Sequence, residues 1–153
     1  IKKTFYQSDG KTIDFINEYD KHSGELVNKT QHQFDGTTIK SIIKYSQYDD
    51  KLKEVEKIDY DYNKDNGKLI KETYNNDYIN EYDKDTGKLV KETNYQPDRE
   101  NLWYIHEYDK KTYKLVKKTN YRKYSFFSSD FSSKHNGTIK SIIEFNKDTG
   151  EIV

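Results

Sequence analysis

The stretch that decides the fold is Gly87-Lys88-Leu89-Val90-Lys91-Glu92-Thr93, because the chain repeats it. Further copies are Gly24-Glu25-Leu26-Val27-Asn28-Lys29-Thr30, Gly67-Lys68-Leu69-Ile70-Lys71-Glu72-Thr73 and Tyr113-Lys114-Leu115-Val116-Lys117-Lys118-Thr119. The chain opens on the second half of the phrase, Ile1-Lys2-Lys3-Thr4, and closes on its first half, Gly150-Glu151-Ile152-Val153. Such repetition predicts an array of similar modules stacked on their neighbours.

The composition predicts a thin and heavily solvated fold. Hydrophobic residues make up 31% of the 153 residues and charged residues 35%, and the mean hydropathy is -1.23. Little apolar material is therefore present for a core with two sides. The chain nevertheless has 15 Tyr and 7 Phe, which is too aromatic for a disordered tail.

Charge and cysteine content exclude several classes of function. Lys and Arg total 27, Asp and Glu also total 27, and no basic block stands out, so nucleic acid is not expected as a partner. The absence of cysteine excludes disulfides and thiolate metal sites. No apolar run approaches the roughly 18–20 residues of a transmembrane helix, so no membrane span is expected.

Each repeat unit is predicted to hold two strands. Strand A is the repeated phrase, and strand B is a segment such as Thr38-Ile39-Lys40-Ser41-Ile42-Ile43-Lys44-Tyr45. Thr, Ile and aromatic residues suit a pleated surface, and apolar and polar residues alternate along strand B. The spacing of Ile13, Ile16 and Tyr19 leaves a helix as the alternative, but these segments are short and lack caps.

Turns rich in Asp, Asn and Gly separate the strands. Strand B leads into strand A through segments such as Asp83-Lys84-Asp85-Thr86-Gly87, and strand A leads into strand B through segments such as Gln7-Ser8-Asp9-Gly10. The closing Gly supplies the positive φ of a type I turn with a bulge. Tyr113 replaces this Gly in one copy, so a changed turn is expected there.

The predicted fold class is all-β, with antiparallel β-hairpin tandem repeats that form a solenoid-like array or a single-layer meander sheet. Residues 1–153 would form a single repeat domain of about six two-stranded units, roughly 12 or 13 strands in total, with an insertion at residues 122–136. The chain starts and ends within the phrase, as one link of a longer array would, but the sequence does not decide this. Its open edge strands would allow edge-strand self-association.

Three strings carry a resemblance to a known family. They are DGKTIDFINEYD (residues 9–20), EYDKDTGKLVKETNYQPD (81–98) and GTIKSIIEFNKDTGEIV (137–153), and they resemble the tandem repeat of a phytoplasma protein family of unknown function. The resemblance implies a secreted effector or surface protein that meets a host protein, inside the host cell or at the bacterial surface. It implies no catalytic residues. Lys21, Lys84 and Lys110 stand where the family repeat has Pro.

Calcium binding is the sharpest chemical alternative that the residues offer. Carboxylates alternate in Glu81–Gly87, but Gly falls one position later than an EF-hand loop requires, and the flanks are predicted strands. No pair among His22, His32, His106 and His135 has ligand spacing. Nucleophile motifs and phosphate-binding Gly loops are absent from the sequence. We therefore predict no enzyme activity, no cofactor and no metal site.

Candidate binding residues lie at two irregularities and along the repeat. The insertion contributes Phe126, Phe127 and Phe131, which would anchor a partner or cap the open end of the array. Trp103, the only Trp, would anchor a partner or simply pack. The other candidates are the equivalent strand-B residues Tyr19, Tyr45, Tyr82 and Tyr108.

These features together predict a non-enzymatic module that binds a host protein. The first alternative is a carbohydrate- or surface-attachment module, which would stack sugar rings on an exposed row formed by the four Tyr. The second alternative is a structural spacer, which has no need for differences between copies.

Overall fold

Strands are the regular elements of the described chain. The computed structural model describes residues 1–48, 51–122 and 138–153. The strands are β1 (Lys2–Tyr6), β2 (Ile13–Tyr19), β3 (Leu26–His32), β4 (Ile39–Tyr48), β5 (Lys51–Tyr62), β6 (Leu69–Tyr74), β7 (Tyr78–Tyr82), β8 (Leu89–Tyr95), β9 (Leu102–Tyr108), β10 (Leu115–Tyr121) and β11 (Ile139–Glu144). These ranges contain no helix, and thus none that could cross a membrane. The helical alternative is therefore wrong.

The strands form one open antiparallel sheet in chain order, from β1 to β11. This arrangement confirms the all-β meander that the repeat predicted. The described ranges hold eleven strands where 12 or 13 were expected. The difference lies partly at the closing segment, where only Ile152 forms a bridge, with Phe145.

The chain divides into two compact units. Unit 1 contains Ile1–Asp61 and Thr73–Asn75, and unit 2 contains Tyr62–Glu72 and Asn76–Val153. Unit 1 includes the longest hairpin, formed by β4 and β5, in which Tyr48 pairs with Lys51.

A row of Thr and Ile runs across the strands of each unit. The row in unit 1 is Thr4, Ile16, Thr30, Ile42 and Ile58. The row in unit 2 is Ile79, Thr93, Ile105, Thr119 and Ile142. Ile43, at 8% exposure, is the one buried apolar side chain in the described ranges. Since so little apolar surface is buried, the sheet depends on pairs of side chains across neighbouring strands.

A row of alternating charges runs beside the Thr and Ile row of unit 2. It consists of Glu81, Lys91, Glu107, Lys117 and Glu144, on five successive strands. Lys91 Nζ lies 2.9 Å from a Glu81 oxygen, and Lys117 Nζ lies 3.7 Å from a Glu107 oxygen. Because these side chains are exposed, each pair contributes at most about 1 kcal/mol. The alternation also fixes the register, since a slip by one strand position would remove every pair.

The turn at Asp83–Gly87 shows how strand B passes into strand A. The Gly87 N–H donates to the Asp83 carbonyl (2.7 Å), and the Asp83 N–H donates to the Lys88 carbonyl (2.8 Å). Hydrogen bonds from the Thr86 backbone and hydroxyl lower the pKa of the Asp83 carboxyl. That carboxylate is thus engaged in closing the turn, which favours the turn interpretation of this segment over the calcium alternative. The described ranges hold no cluster of three side chains that could ligate a metal.

Tyr113 adopts the conformation of the Gly that it replaces. Its φ is 58°, and its N–H donates to the Asp109 carbonyl at 2.8 Å, as Gly87 does to Asp83. The expected change of turn type is therefore wrong. The two backbone bonds of the turn and the Asp109 carboxylate, which accepts the Lys111 and Thr112 N–H groups, hold Tyr113 in a strained region.

Replacing Tyr113 by Gly is expected to stabilise unit 2. A side chain at this φ costs about 1–2 kcal/mol, part of which the flexibility of Gly in the unfolded chain offsets. The expected gain is about 1 kcal/mol, or a Tm higher by about 2–4 °C, measured by thermal unfolding. Tyr113→Ala is the control, because it removes the ring and keeps the strain. Equal stability of the Gly and Ala variants would contradict the argument.

Candidate binding site at the bulges

The turns from strand A to strand B share one hydrogen-bond pattern. At residues 33–38, the Gln33 N–H donates to the Thr38 carbonyl at 2.8 Å. The Asp35 carboxylate accepts bonds from the Thr38 hydroxyl and from two backbone N–H groups, which lower its pKa to about 2. Residues 7–12 and 96–101 form the same turn. These turns fix the start of each following strand B.

The strand register skips one residue just after these turns. Between β3 and β4, Gln31 pairs with Ser41 and His32 pairs with Ile39, so Lys40 is an extra residue on β4. The same shift occurs between β1 and β2, β8 and β9, and β10 and β11. We call the extra residues the bulge residues; they are Asp14, Lys40, Trp103 and Lys140.

A second set of shifts lies on the strands that follow strand B. In four of these hairpins the extra residue is a valine: Val27, Val55, Val90 and Val116. One kind of bulge therefore holds a constant apolar residue, whereas the bulge residues are an acid, two bases and an indole. Bulges redirect side chains and occur often beside functional sites. The side chain at the bulge position of strand B therefore differs in chemical character from copy to copy.

Two bulge residues border a depression in unit 2. We call it the Trp103 depression; it measures about 590 Å³ and is lined by Trp103, Asn120, Tyr121, Arg122, Lys140 and Ser141. The side chain of Trp103 is 41% exposed and lies against the ring of Tyr104, with ring centroids 6.3 Å apart. Asn120 donates to the Ser141 hydroxyl at 3.0 Å. The depression therefore offers two aromatic rings and two cations.

The other two bulge residues border a depression in unit 1. We call it the Asp14 depression; it measures about 520 Å³ and is lined by Gln7, Asp14, His32, Gln33, Phe34, Lys40, Tyr60 and Asp61. It occupies the same place in the repeat as the Trp103 depression, between two bulge residues and beside the end of strand A. Its chemistry is different, because acids and a base are mixed and Phe34 is 94% exposed.

The four candidate Tyr residues do not form an exposed row. Tyr19, Tyr45, Tyr82 and Tyr108 are all half-buried. The Tyr82 hydroxyl donates to Glu72 at 2.6 Å, and the Tyr108 hydroxyl donates to Glu92 at 2.9 Å. These rings are therefore used in packing between strands, which weakens the carbohydrate alternative in the form that requires them.

The strand-A residue beside each of these rings is either Glu or Lys. The group that it contacts differs between these two residue types. Glu72 and Glu92 accept a Tyr hydroxyl, whereas Lys3 lies over the ring of Tyr19, with Nζ 4.9 Å from the centroid. Lys118 lies over Phe145, an aromatic residue without a hydroxyl, at 5.9 Å.

In the remaining copy, Lys29 lies over Phe15 at 4.2 Å, on the preceding strand. In these copies a Glu contacts the hydroxyl of a Tyr, whereas a Lys contacts the face of an aromatic ring.

Glu92 contacts three side chains. It accepts hydrogen bonds from the hydroxyls of Tyr78 (3.2 Å) and Tyr108 (2.9 Å), and its carboxylate lies 3.0 Å from His106 Nδ1. Burial and the Glu92 carboxylate raise the pKa of Tyr108. Because Tyr78, Glu92 and Tyr108 lie on β7, β8 and β9, the cluster links three neighbouring strands.

The candidates of the insertion lie outside the described residues. Phe126, Phe127 and Phe131 fall within residues 123–137. At the border of this segment, the Arg122 N–H donates to the Thr138 carbonyl at 3.0 Å. Gln33 and Thr38 form the same bond in an ordinary copy, so the insertion takes the place of a turn from strand A to strand B.

Comparison with known proteins places the chain in a family. Residues 6–57 and 74–120, more than half of the chain, match the protein family of unknown function DUF2963. The chain belongs to the DUF2963 family. The match contains copies of both strands of the repeat, as the resemblance to an uncharacterised repeat family predicted. No curated protein matches the chain.

One solved structure similar to this DUF2963 chain is a protein of unknown function from Bacteroides fragilis. It is 15% identical, and the alignment covers 96% of this chain and 91% of that protein. The TM-score is 0.20, so the similarity carries no argument.

Sequence reasoning found one of the four bulge residues of this DUF2963 chain. Trp103 was singled out because it is the only Trp, whereas Asp14, Lys40 and Lys140 were read as ordinary strand positions. The available signal was that the residue before the central aromatic or Ser of strand B differs in character between copies. This variation can be assigned to a bulge only when the register shift between the two strands is known, and the spacing of residues along the chain does not show that shift.

Proposed function

We propose that the chain is a non-enzymatic protein-binding module whose partner contacts the Trp103 depression. The observation that carries this proposal is the variation at the bulge residues, set against the constant valines of the other bulges. Trp, Tyr and Arg are the residues most enriched at binding hot spots, and all three line this depression. A structural spacer would gain nothing from such variation.

The partner in this proposal is a host protein, met after secretion into a host cell or at the bacterial surface. Support comes from the resemblance of the repeat to the phytoplasma repeat family. The insertion, with Phe126, Phe127 and Phe131, adjoins Arg122 in the sequence and stays a candidate second anchor.

The test is affinity capture from plant and insect lysates, with mass spectrometry of the bound proteins. The intact chain is compared with Trp103→Ala and with a variant that changes Phe126, Phe127 and Phe131 to Ser, each shown to be folded by circular dichroism. Phe34→Ala is the matched control, because it removes an exposed aromatic ring in unit 1.

We expect a protein that the intact chain and the Phe34 variant capture, and that the Trp103 variant loses by tenfold or more. Loss with the triple Phe variant alone would move the anchor into the insertion. Capture of nothing specific by the intact chain would contradict the binding function.

A carbohydrate-binding function is the second candidate, and the Asp14 depression is the observation that favours it. Sugars are bound by an aromatic platform together with acid and amide hydrogen-bonding groups, and Phe34, Asp14 and Gln33 supply these groups. A glycan array probed with the intact chain and with Phe34→Ala tests it. Signals that do not depend on Phe34 would count against this site.

A further inference from the structure

We infer that the Trp103 depression binds an acidic segment of its partner protein. This inference rests on the proposed function and names the chemistry of the partner. Arg122 and Lys140 line the depression, and none of its described lining residues carries a carboxylate. The whole chain has no net charge, so this local excess of positive charge is a feature of the site. A carboxylate is the protein group that Arg binds most strongly, through two parallel hydrogen bonds.

The backbone on both sides of the depression is held by one buried side chain. Gln96 is 6% exposed, and its Nε2 donates to the Leu102 carbonyl (3.1 Å) and to the Arg122 carbonyl (3.0 Å). Leu102 immediately precedes Trp103. The Gln96 side-chain amide therefore holds the backbone next to Trp103 and the backbone of Arg122. Holding the backbone in place before binding reduces the entropy that association costs.

The size and shape of the depression favour a segment of chain over a single small anion. Its volume of about 590 Å³ exceeds what one phosphate or acetate fills and lies in the usual range of ligand sites. The faces of Trp103 and Tyr121 also offer apolar contact area beside the two cations. A segment with several carboxylates, spaced by methylene groups that rest on the rings, matches both features.

The Asp14 depression supplies an internal comparison. It has a lysine, Lys40, at the place of Lys140, but it also contains Asp14 and Asp61. An acidic segment would meet repulsion there, so we expect the preference for acidic segments in the Trp103 depression alone. Unit 1 therefore provides a matched control residue, Lys40.

Trp103 makes the test direct, because it is the only Trp of the chain and its fluorescence reports on this site. The full chain is titrated with a hexaglutamate peptide blocked at both ends, a blocked hexalysine peptide and a deoxythymidine hexanucleotide, at low and at physiological salt. We expect hexaglutamate to give a saturable change in Trp103 emission. The affinity for hexaglutamate should fall as the salt concentration rises. We expect no change with hexalysine and weaker binding of the nucleotide.

The variants assign the effect to the two cations. Replacing both Arg122 and Lys140 by Ala is expected to weaken hexaglutamate binding at least tenfold, whereas Lys40→Ala leaves it unchanged. Circular dichroism checks that the variants stay folded. The inference is overturned if hexalysine binds equally well, if the nucleotide binds more tightly, or if the double variant binds as the intact chain does.

This outcome is separable from the proposed function. If hexaglutamate fails to bind while Trp103→Ala still loses a captured protein, the acidic partner is wrong and the binding module stands. If neither peptide binding nor capture is found, both proposals fail.

Discussion

Gly36→Ala is expected to lower the free energy of unfolding of unit 1 by about 3 kcal/mol, while Gly10→Ala costs about 1 kcal/mol. The two glycines hold the same place in equivalent turns, with φ of 70° and 68°. An added methyl group is therefore strained at both positions. The difference arises from what surrounds each turn.

Gly36 is buried against the preceding turn of the same kind. A Cβ at this position would lie 2.8 Å from the Ile13 backbone nitrogen and 2.8 Å from Thr12 Cγ2, whereas a Cβ at Gly10 meets nothing within 4 Å. Backbone atoms in a paired strand cannot move aside at low cost, so the turn or the start of β2 must shift.

Hydrogen exchange of the β2 and β3 amides, with urea unfolding followed by circular dichroism, measures this difference. Exchange in unit 1 should accelerate far more in the Gly36 variant than in the Gly10 variant. Equal effects of the two substitutions would show that the two turns do not pack together as described.

Glu92→Lys is expected to lower the free energy of unfolding of unit 2 by about 2 kcal/mol, because three hydrogen-bonding groups lose a charged acceptor. The groups are the hydroxyls of Tyr78 and Tyr108 and the ring of His106. The Glu92 side chain is 19% exposed, so water replaces these bonds only in part.

The sharper expectation concerns the pair of Glu92→Lys and Tyr108→Phe. Tyr108→Phe alone removes the hydroxyl that donates to Glu92. With Lys at position 92 this bond is already lost, and the Lys can lie over the ring as Lys118 lies over Phe145. The double variant should therefore be more stable than the sum of the single effects predicts, by about 1 kcal/mol. Repulsion between the new Lys and His106 is present with either residue at position 108 and cancels in the cycle.

A reciprocal cycle at Lys118 and Phe145 serves as the control. Lys118→Glu should destabilise unit 2, and adding Phe145→Tyr should restore part of the loss by supplying a hydroxyl. Urea unfolding of all the variants gives both coupling energies. Additive effects in both cycles would mean that the two residues act independently. The preference of Glu for a Tyr hydroxyl and of Lys for a ring face would then be wrong.

The local parts of this structure could be predicted from the sequence because neighbouring residues dictate them. Asp83 and Gly87 close a turn through bonds within a few residues, and the alternation of apolar and polar residues along strand B specifies half-buried strands. The error at Tyr113 has the same origin. The conformation of that turn is imposed by the backbone bonds and by Asp109, and these overcome the preference of residue 113.

The candidate site could be predicted only in part, because its residues meet across strands. Trp103 was found through its chemistry. Its companions Tyr121, Arg122 and Lys140 lie 18 to 37 residues further along the chain, and spacing gives no sign that they line one depression. The carbohydrate alternative required an exposed row of the candidate Tyr residues, but the hydroxyls of two of them donate to Glu72 and Glu92 on neighbouring strands.

The sequence by itself determined the repeat, the strand class and the order of the turns, since each depends on contacts within one hairpin. The tertiary structure alone decided which residues the register skips, and therefore that Asp14, Lys40, Trp103 and Lys140 share one role. A bulge is the difference between two strand lengths, so neither strand reveals it without the other. The residues of the site come together only through the pairing of strands, which exists only in the folded sheet.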